Sequence, residues 1–173
     1  MADLQPAVYL TLAEAFRYPD PGLASRLRAG LAGFPLGAGR KAFEAFLSSV
    51  GALNLGEWEE LYTHSLDLSP AVAPYLGYQM WGDGYARGTF MAALNRAYHA
   101  AGIEAAGELP DHLGVVLAYL GSGAQPPQEL VDIFDPALEK MLAVMHKAEP
   151  KNPYTRLLEA TAELVDLGAA KPA

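Results

Sequence analysis

Residues 39–51 read GRKAFEAFLSSVG, and within them Phe43, Phe46, Leu47 and Val50 fall at i, i+3, i+4 and i+7. That spacing sets four apolar side chains along one stripe of a helix, whereas a strand would turn Phe43 and Phe46 to opposite faces. Glycines at 37, 39 and 51 bracket the segment. The same period recurs in both directions. Upstream, a helix is expected from Pro6 to about Arg17, with Val8, Leu12, Ala15 and Phe16 inward, stopping before the turn Tyr18-Pro19-Asp20-Pro21. A second, short helix is expected after Pro21. Downstream, Asn54 is a good N-cap for a helix through Leu68 that carries Leu55, Trp58, Leu61, Tyr62 and Leu66.

Between Pro70 and Tyr85 prolines and glycines interleave with Tyr75, Tyr78, Met80 and Trp81, which reads as an irregular stretch with rings to place. A long helix follows from about Tyr85 to Ala101, with Met91, Leu94 and Tyr98 on one face and Gly102 as its stop. Pro110 and Asp111 are expected to open the next, with Leu113, Val116, Leu117 and Leu120 inward. Pro126-Pro127 starts a helix to Phe134. Asp135-Pro136 reads as a cap and first turn of another to His146, and Asn152-Pro153 opens the last, to about Leu167. No alternating run is long enough for a half-buried strand. The expected fold is therefore all-α, a compact bundle of about eight or more helices. The expected organisation is a single domain over 1–168, built from parts 1–106 and 107–168, with a flexible tail at 169–173.

Composition narrows the function. The chain has 173 residues, 51% hydrophobic and 18% charged, and no cysteine. Disulfides, thiolate metal sites, all-cysteine iron–sulfur clusters and a cysteine nucleophile are excluded. A net charge of −8 argues against binding nucleic acid through its phosphates. The acidity leans toward the C-terminal part, with 10 acidic against 7 basic residues before Gly107 and 10 against 5 from there on. Either a basic peptide ligand or simple solubility accounts for it. No signal-like start and no apolar run of membrane-spanning length is present, so a cytoplasmic protein without membrane insertion is expected.

The chemistry-bearing residues are few. His64, His99, His112 and His146 show no helical metal-binding pair, and no phosphate loop, dinucleotide fingerprint or nucleophile elbow occurs. His99 and His146 sit where a helix C-terminus favours an imidazolium. Asp111-His112 stands out, yet adjacent helical residues do not face each other, so a dyad of these two alone is poor geometry. Asp111 suits the free N–H groups of a helix start, and His112 suits a groove. Capping, ligand binding and catalysis all remain open for the pair. Tyr75, Tyr78, Trp81 and Tyr85 either line a groove for an apolar peptide or plug the gap between helical layers, with Arg87 beside them as an ion-pair partner.

Glu108-Leu109-Pro110-Asp111-His112-Leu113, continued by Val115-Val116-Leu117, resembles the E-x-P-D-H signature of the TorD/DmsD/NarJ group of redox-enzyme maturation chaperones, most closely the NarJ type. LAEAFRYPD at 12–20, LYTHSLDL at 61–68, Gly82-Asp83 with Arg87-Gly88 and Met91, and NPYTRLLEA at 152–160 stand in the same order as in that group. The resemblance implies a helical chaperone, not an enzyme, that binds the apo catalytic subunit of a molybdoenzyme, a nitrate reductase alpha subunit foremost, through its N-terminal segment. It implies no permanently bound cofactor and no metal, since molybdopterin guanine dinucleotide and iron–sulfur clusters belong to the client. It also implies a monomer able to form a domain-swapped dimer at the connection after Gly102. By position, Glu108, Leu109, Pro110, Asp111 and His112 are the client-recognition connection, joined by Tyr62, Asp67, Tyr75, Tyr78, Trp81, Arg87 and Gly88. The stretch Leu76 to Trp81 departs from NarJ and TorD members alike, which leaves open another client, with twin-arginine leader proofreading. Competing readings are a small hydrolase using His112 with Glu108 or Asp111, and a purely structural oligomerisation module.

Overall fold

The structure, a computed structural model, describes residues 3–69 and 72–168. Helix α1 (Pro6–Ala15) starts on Pro6 at a position where a missing N–H costs nothing. At the Pro19-Asp20-Pro21 turn the Asp20 carboxylate accepts from the Gly22 N–H at 2.9 Å and from both terminal nitrogens of Arg26. Helix α2 (Leu23–Leu31) leaves that turn, and α3 (Ala38–Gly51) buries Phe43, Phe46, Leu47 and Val50 as their spacing requires. Asn54 and Glu57 form a reciprocal capping box on α4 (Leu55–Tyr62), which runs on into a wider π-helical turn, Thr63–Asp67. Helix α6 (Tyr85–Ala101) stops at Gly102, whose φ of 69° is the left-handed conformation that glycine adopts freely. Asn152 caps α9 (Pro153–Leu164) by accepting from the Tyr154 N–H.

Three expectations about elements are corrected. Residues 76–81, expected to be irregular, form a short helix α5 (Leu76–Trp81). At six residues it cannot hold alone. It is held by packing on α6 and on the long helix of residues 128–148, and Gly77 permits this, because an added Cβ would lie 2.9 Å from both Asp111 Oδ2 and a Phe90 ring carbon. Helix α7 begins at Leu113 rather than at Pro110-Asp111, with His112 as its cap (Leu113–Gly121). The two helices expected on either side of Asp135-Pro136 are one, α8 (Gln128–Ala148), with Pro136 inside it. Ile133, Phe134, Ala137 and Leu138 are buried in sequence across the proline, so one continuous apolar stripe overrides the local break signal. On α6 the inward face is Phe90, Ala93, Leu94 and Tyr98, with Met91 half-buried beside it.

Helix α1 packs on α7, α3 on α9, and α5 on α8, so each N-terminal partner lies against a helix from the C-terminal part. A single apolar cluster runs through both parts. Its spine is a chain of rings, Phe34, Phe43, Phe46, Tyr154, Tyr62 and Tyr18, with successive centroids 4.5–6.0 Å apart. The buried Trp58 donates its indole N–H to the Tyr154 hydroxyl at 3.0 Å, so neither polar tip is left unpaired. No strand occurs among the described residues; the one β-like pairing is an isolated bridge between Tyr75 and His112. No helix among them is long and apolar enough to cross a membrane. The tail expected at 169–173 lies outside the described residues.

Candidate functional site

After Gly102 the chain crosses from α6 to α7 through residues 103–112. Ala106 and Gly107 both have positive φ, 52° and 85°, and this double left-handed turn sends Glu108 back over Tyr75. The Glu108 carboxylate accepts the Tyr75 hydroxyl at 2.8 Å and its neighbour's N–H, that of Leu109, at 2.9 Å. The Pro110 carbonyl takes the Tyr98 hydroxyl at 2.6 Å. Asp111 and His112 then pair with the chain ahead of α5: Leu76 N–H donates to Asp111 C=O at 2.9 Å, and Leu113 N–H to Pro74 C=O at 2.7 Å. Two short segments that the sequence separates by more than thirty residues are thus stitched together.

Asp111 is fully buried, and its carboxylate receives Arg87 Nε at 2.8 Å and Nη2 at 3.2 Å. This corrects its expected place at the free N–H groups of a helix start: it is the anion of a two-bond ion pair inside the protein. The third guanidinium nitrogen reaches the exposed Asp83 at 3.0 Å, and the guanidinium lies 5.6 and 5.4 Å from the centres of the Tyr75 and Tyr78 rings. The hydrogen bond to Asp111 is the foremost cause that raises the Arg87 pKa above its ordinary value.

The cap role belongs to His112. Its Nδ1 accepts from Gly114 N–H at 3.1 Å, which places the ring in the neutral form with Nε2 protonated, and its ring meets Tyr75 edge-on at 5.2 Å. Burial holds its pKa below the ordinary value against the pull of Glu108, Asp111 and Asp67. Burial and then Glu108 raise Asp67, and burial pushes Tyr62 up to about 12. Among the described residues neither Glu108 nor Asp111 hydrogen-bonds the imidazole, so the acid–base pair that a His112 hydrolase needs is not assembled. No group of three or more potential metal ligands occurs among them either.

Beside this connection runs a groove of about 620 Å³ between α1, residues 103–108 and α7. Of the residues singled out from the sequence, Tyr62, Glu108 and His112 line it. Leu109 is 45% exposed, next in the chain to the lining Glu108, and Pro110, Asp111, Asp67 and Tyr75 do not line the groove. Tyr78 is half-buried under Arg87, Trp81 meets Phe90 at a tilt of 58° with centroids 5.5 Å apart, and Gly88 is exposed with open space around it; none of these, nor Arg87, lines the groove. The aromatic set of residues 75–85 therefore splits: part plugs the gap around Arg87, while Tyr85 stands 93% exposed.

Sequence reasoning missed most of the floor: Leu10, Ala13, Phe16 and Tyr18 from α1 and its end, and Val115 and Ala118 from α7. A signal existed. Helix α7 reads LGVVLAYLG, apolar on every side, so one stripe could not use all of it and a second face needed cover. The rim carries Glu14, Glu104 and Glu108 against one base, Arg17. An apolar trough with an acidic rim suits an amphipathic basic segment.

Residues 34–151, more than half of the chain, match a family model described as "Nitrate reductase delta subunit". The fold is similar to a crystal structure of a candidate redox enzyme maturation protein from Archaeoglobus fulgidus, with a TM-score of 0.67, 19% identity and 94% of each chain covered. At that identity the likeness shows the fold alone. No curated protein sequence matches the chain.

Proposed function

This chain belongs to the nitrate reductase delta subunit family, a family of chaperones rather than of enzymes, and from that premise we propose that it receives the N-terminal segment of an apo molybdoenzyme catalytic subunit, a nitrate reductase alpha subunit foremost, in the groove beside Glu108 and holds that subunit for cofactor insertion. The observation that carries the reading is the trough itself: an apolar floor from Leu10, Phe16, Val115 and Ala118 under Glu14, Glu104 and Glu108. A client helix lays its apolar stripe on the floor and sets basic residues on the rim. In this reading the molybdopterin cofactor is cargo of the client, the chaperone works as a monomer, and both meet in the cytoplasm. Asp111 acts by positioning: locked to Arg87, it holds the connection so that Glu108 and His112 face the groove.

Calorimetric titration with a peptide covering the client's N-terminus tests this, with Ala118→Glu to block the floor and Glu104→Gln/Glu108→Gln to neutralise the rim. One-to-one binding is expected, abolished by the first and weakened about tenfold, roughly 1.4 kcal/mol, by the second. Binding that ignores both variants would move the site elsewhere. No binding by the peptide or by the whole apo subunit would reject a nitrate reductase client.

A further inference from the structure

A second groove, of about 900 Å³, lies between the start of α1, the loop 123–126, α8 and the end of α9. Its floor is apolar, made by Leu4, Tyr9, Leu120, Leu138 and Leu164, and Leu36, next in the chain to the lining Pro35, stands 90% exposed. Five carboxylates line it, Asp3, Asp135, Glu139, Glu163 and Asp166, and no basic side chain does among the described residues.

Four of these carboxylates stand together around one apolar floor with no answering charge beside them among the described residues. Glu14 in the first groove is bonded to Arg26, Glu44 to Arg40, Glu149 to His64 and Glu159 to Arg156. Asp3, Glu139, Glu163 and Asp166 have no such ion pair among the described residues; the one recorded bond of the four is the Gly168 N–H on Asp166. Their field reaches the floor, where burial and then Asp3 and Asp166 raise the Tyr9 phenol. Like charges gathered around an apolar trough repel one another, and a basic occupant would relieve that repulsion while covering the floor.

We propose that this groove is a second docking surface, and that its occupant is a basic amphipathic segment of a partner protein, with apolar anchors toward Leu4, Leu138 and Leu164 and lysine or arginine against Glu139, Glu163 and Asp166. The inference is independent of which client the first groove takes.

The chain has no cysteine, so one introduced thiol carries an environment-sensitive dye to a chosen place. Ala162→Cys reports on this groove and Ala105→Cys on the first. The probe is a synthetic peptide of leucine and lysine with leucines on helical spacing. Saturable response of the label at 162 is expected, with affinity falling about tenfold in Glu139→Gln/Glu163→Gln/Asp166→Asn and falling again with added salt. These three side chains are exposed and the asparagine keeps an acceptor for Gly168, so unchanged circular dichroism is expected. Glu104→Gln/Glu108→Gln should leave the response at 162 untouched.

The proposal is overturned if only the label at 105 responds, if the triple variant binds as well as the parent, or if a peptide with glutamate in place of lysine binds equally. Two further outcomes overturn it by naming another occupant. One is a response at 162 that grows with protein concentration alone, which assigns the groove to a second copy of the chain. The other is a response that appears only once residues 169–173, with Lys171, are removed.

Discussion

A carboxylate with no exposed surface persists as an anion only where its charge is answered, and for Asp111 the answer comes from Arg87, placed 24 residues earlier on α6. Removing one partner strands the other: Asp111→Ala is expected to destabilise the fold by about 3–5 kcal/mol, while Arg87→Met/Asp111→Leu together should recover most of that loss. Urea unfolding of the two variants beside the parent decides it, and a double variant as unstable as the single one would mean that the pair's shape, not its charge, is what the connection needs. His112 adds a pH dependence. Its folded pKa is depressed, by burial first, and it caps α7, where the positive helix end also disfavours an imidazolium. On acidification the unfolded chain takes the proton first, so stability is complete above the ordinary 6.5 and is lost as pH falls below it toward the depressed folded value. His112→Asn, which keeps an acceptor for the Gly114 N–H, should flatten the fall of unfolding free energy between about pH 7 and pH 5; an unchanged slope would assign that fall to other groups. At this scale the sequence singled out neighbours that the structure does bring together, but placed the cap on Asp111 where His112 supplies it. Adjacency made Asp111 and His112 look like one unit, whereas the bond that fixes Asp111 runs to a distant arginine that no spacing rule reveals.

Where an element's own residues settle its form, the reading from sequence and the structure agree: the stripe of α3, the Asn54 cap of α4, the Gly102 stop of α6 and the Asn152 cap of α9 are local chemistry. Where packing decides, they part. Helix α5 exists because Gly77 lets it sit against Asp111 and Phe90, and α8 stays unbroken because Phe134 and Leu138 need the same wall. Helix α8 therefore tolerates Pro136 rather than using it, with no N–H at that position to bond the carbonyl of Asp132. Pro136→Ala is expected to stabilise the protein by about 1–3 kcal/mol. A thermal melt that moves upward supports this reading, whereas a downward shift would mean that the proline is needed for α8 to follow α5 and α9.

For the whole molecule, a net charge of −8 is a long-range field, and both grooves sit within it with acidic rims. The fold class was legible from period alone; the pairing of early with late helices and the grooves were not, because each depends on contacts between helices that the sequence sets far apart. The field has a kinetic consequence. A basic client segment should be drawn in faster than neutral docking allows, and the gain should fade once salt shortens the screening length to about 3 Å near 1 M. Stopped-flow mixing with the client's N-terminal peptide is expected to show the association rate falling by about tenfold between low and high salt, with dissociation changing far less. Glu104→Gln/Glu108→Gln, which takes the net charge from −8 to −6, should lower the low-salt rate and leave the high-salt rate nearly untouched. If salt instead speeds dissociation at constant association, the rim carboxylates are working as contacts in the bound state, and the client would be chosen by its fit to the groove and not by its attraction to it.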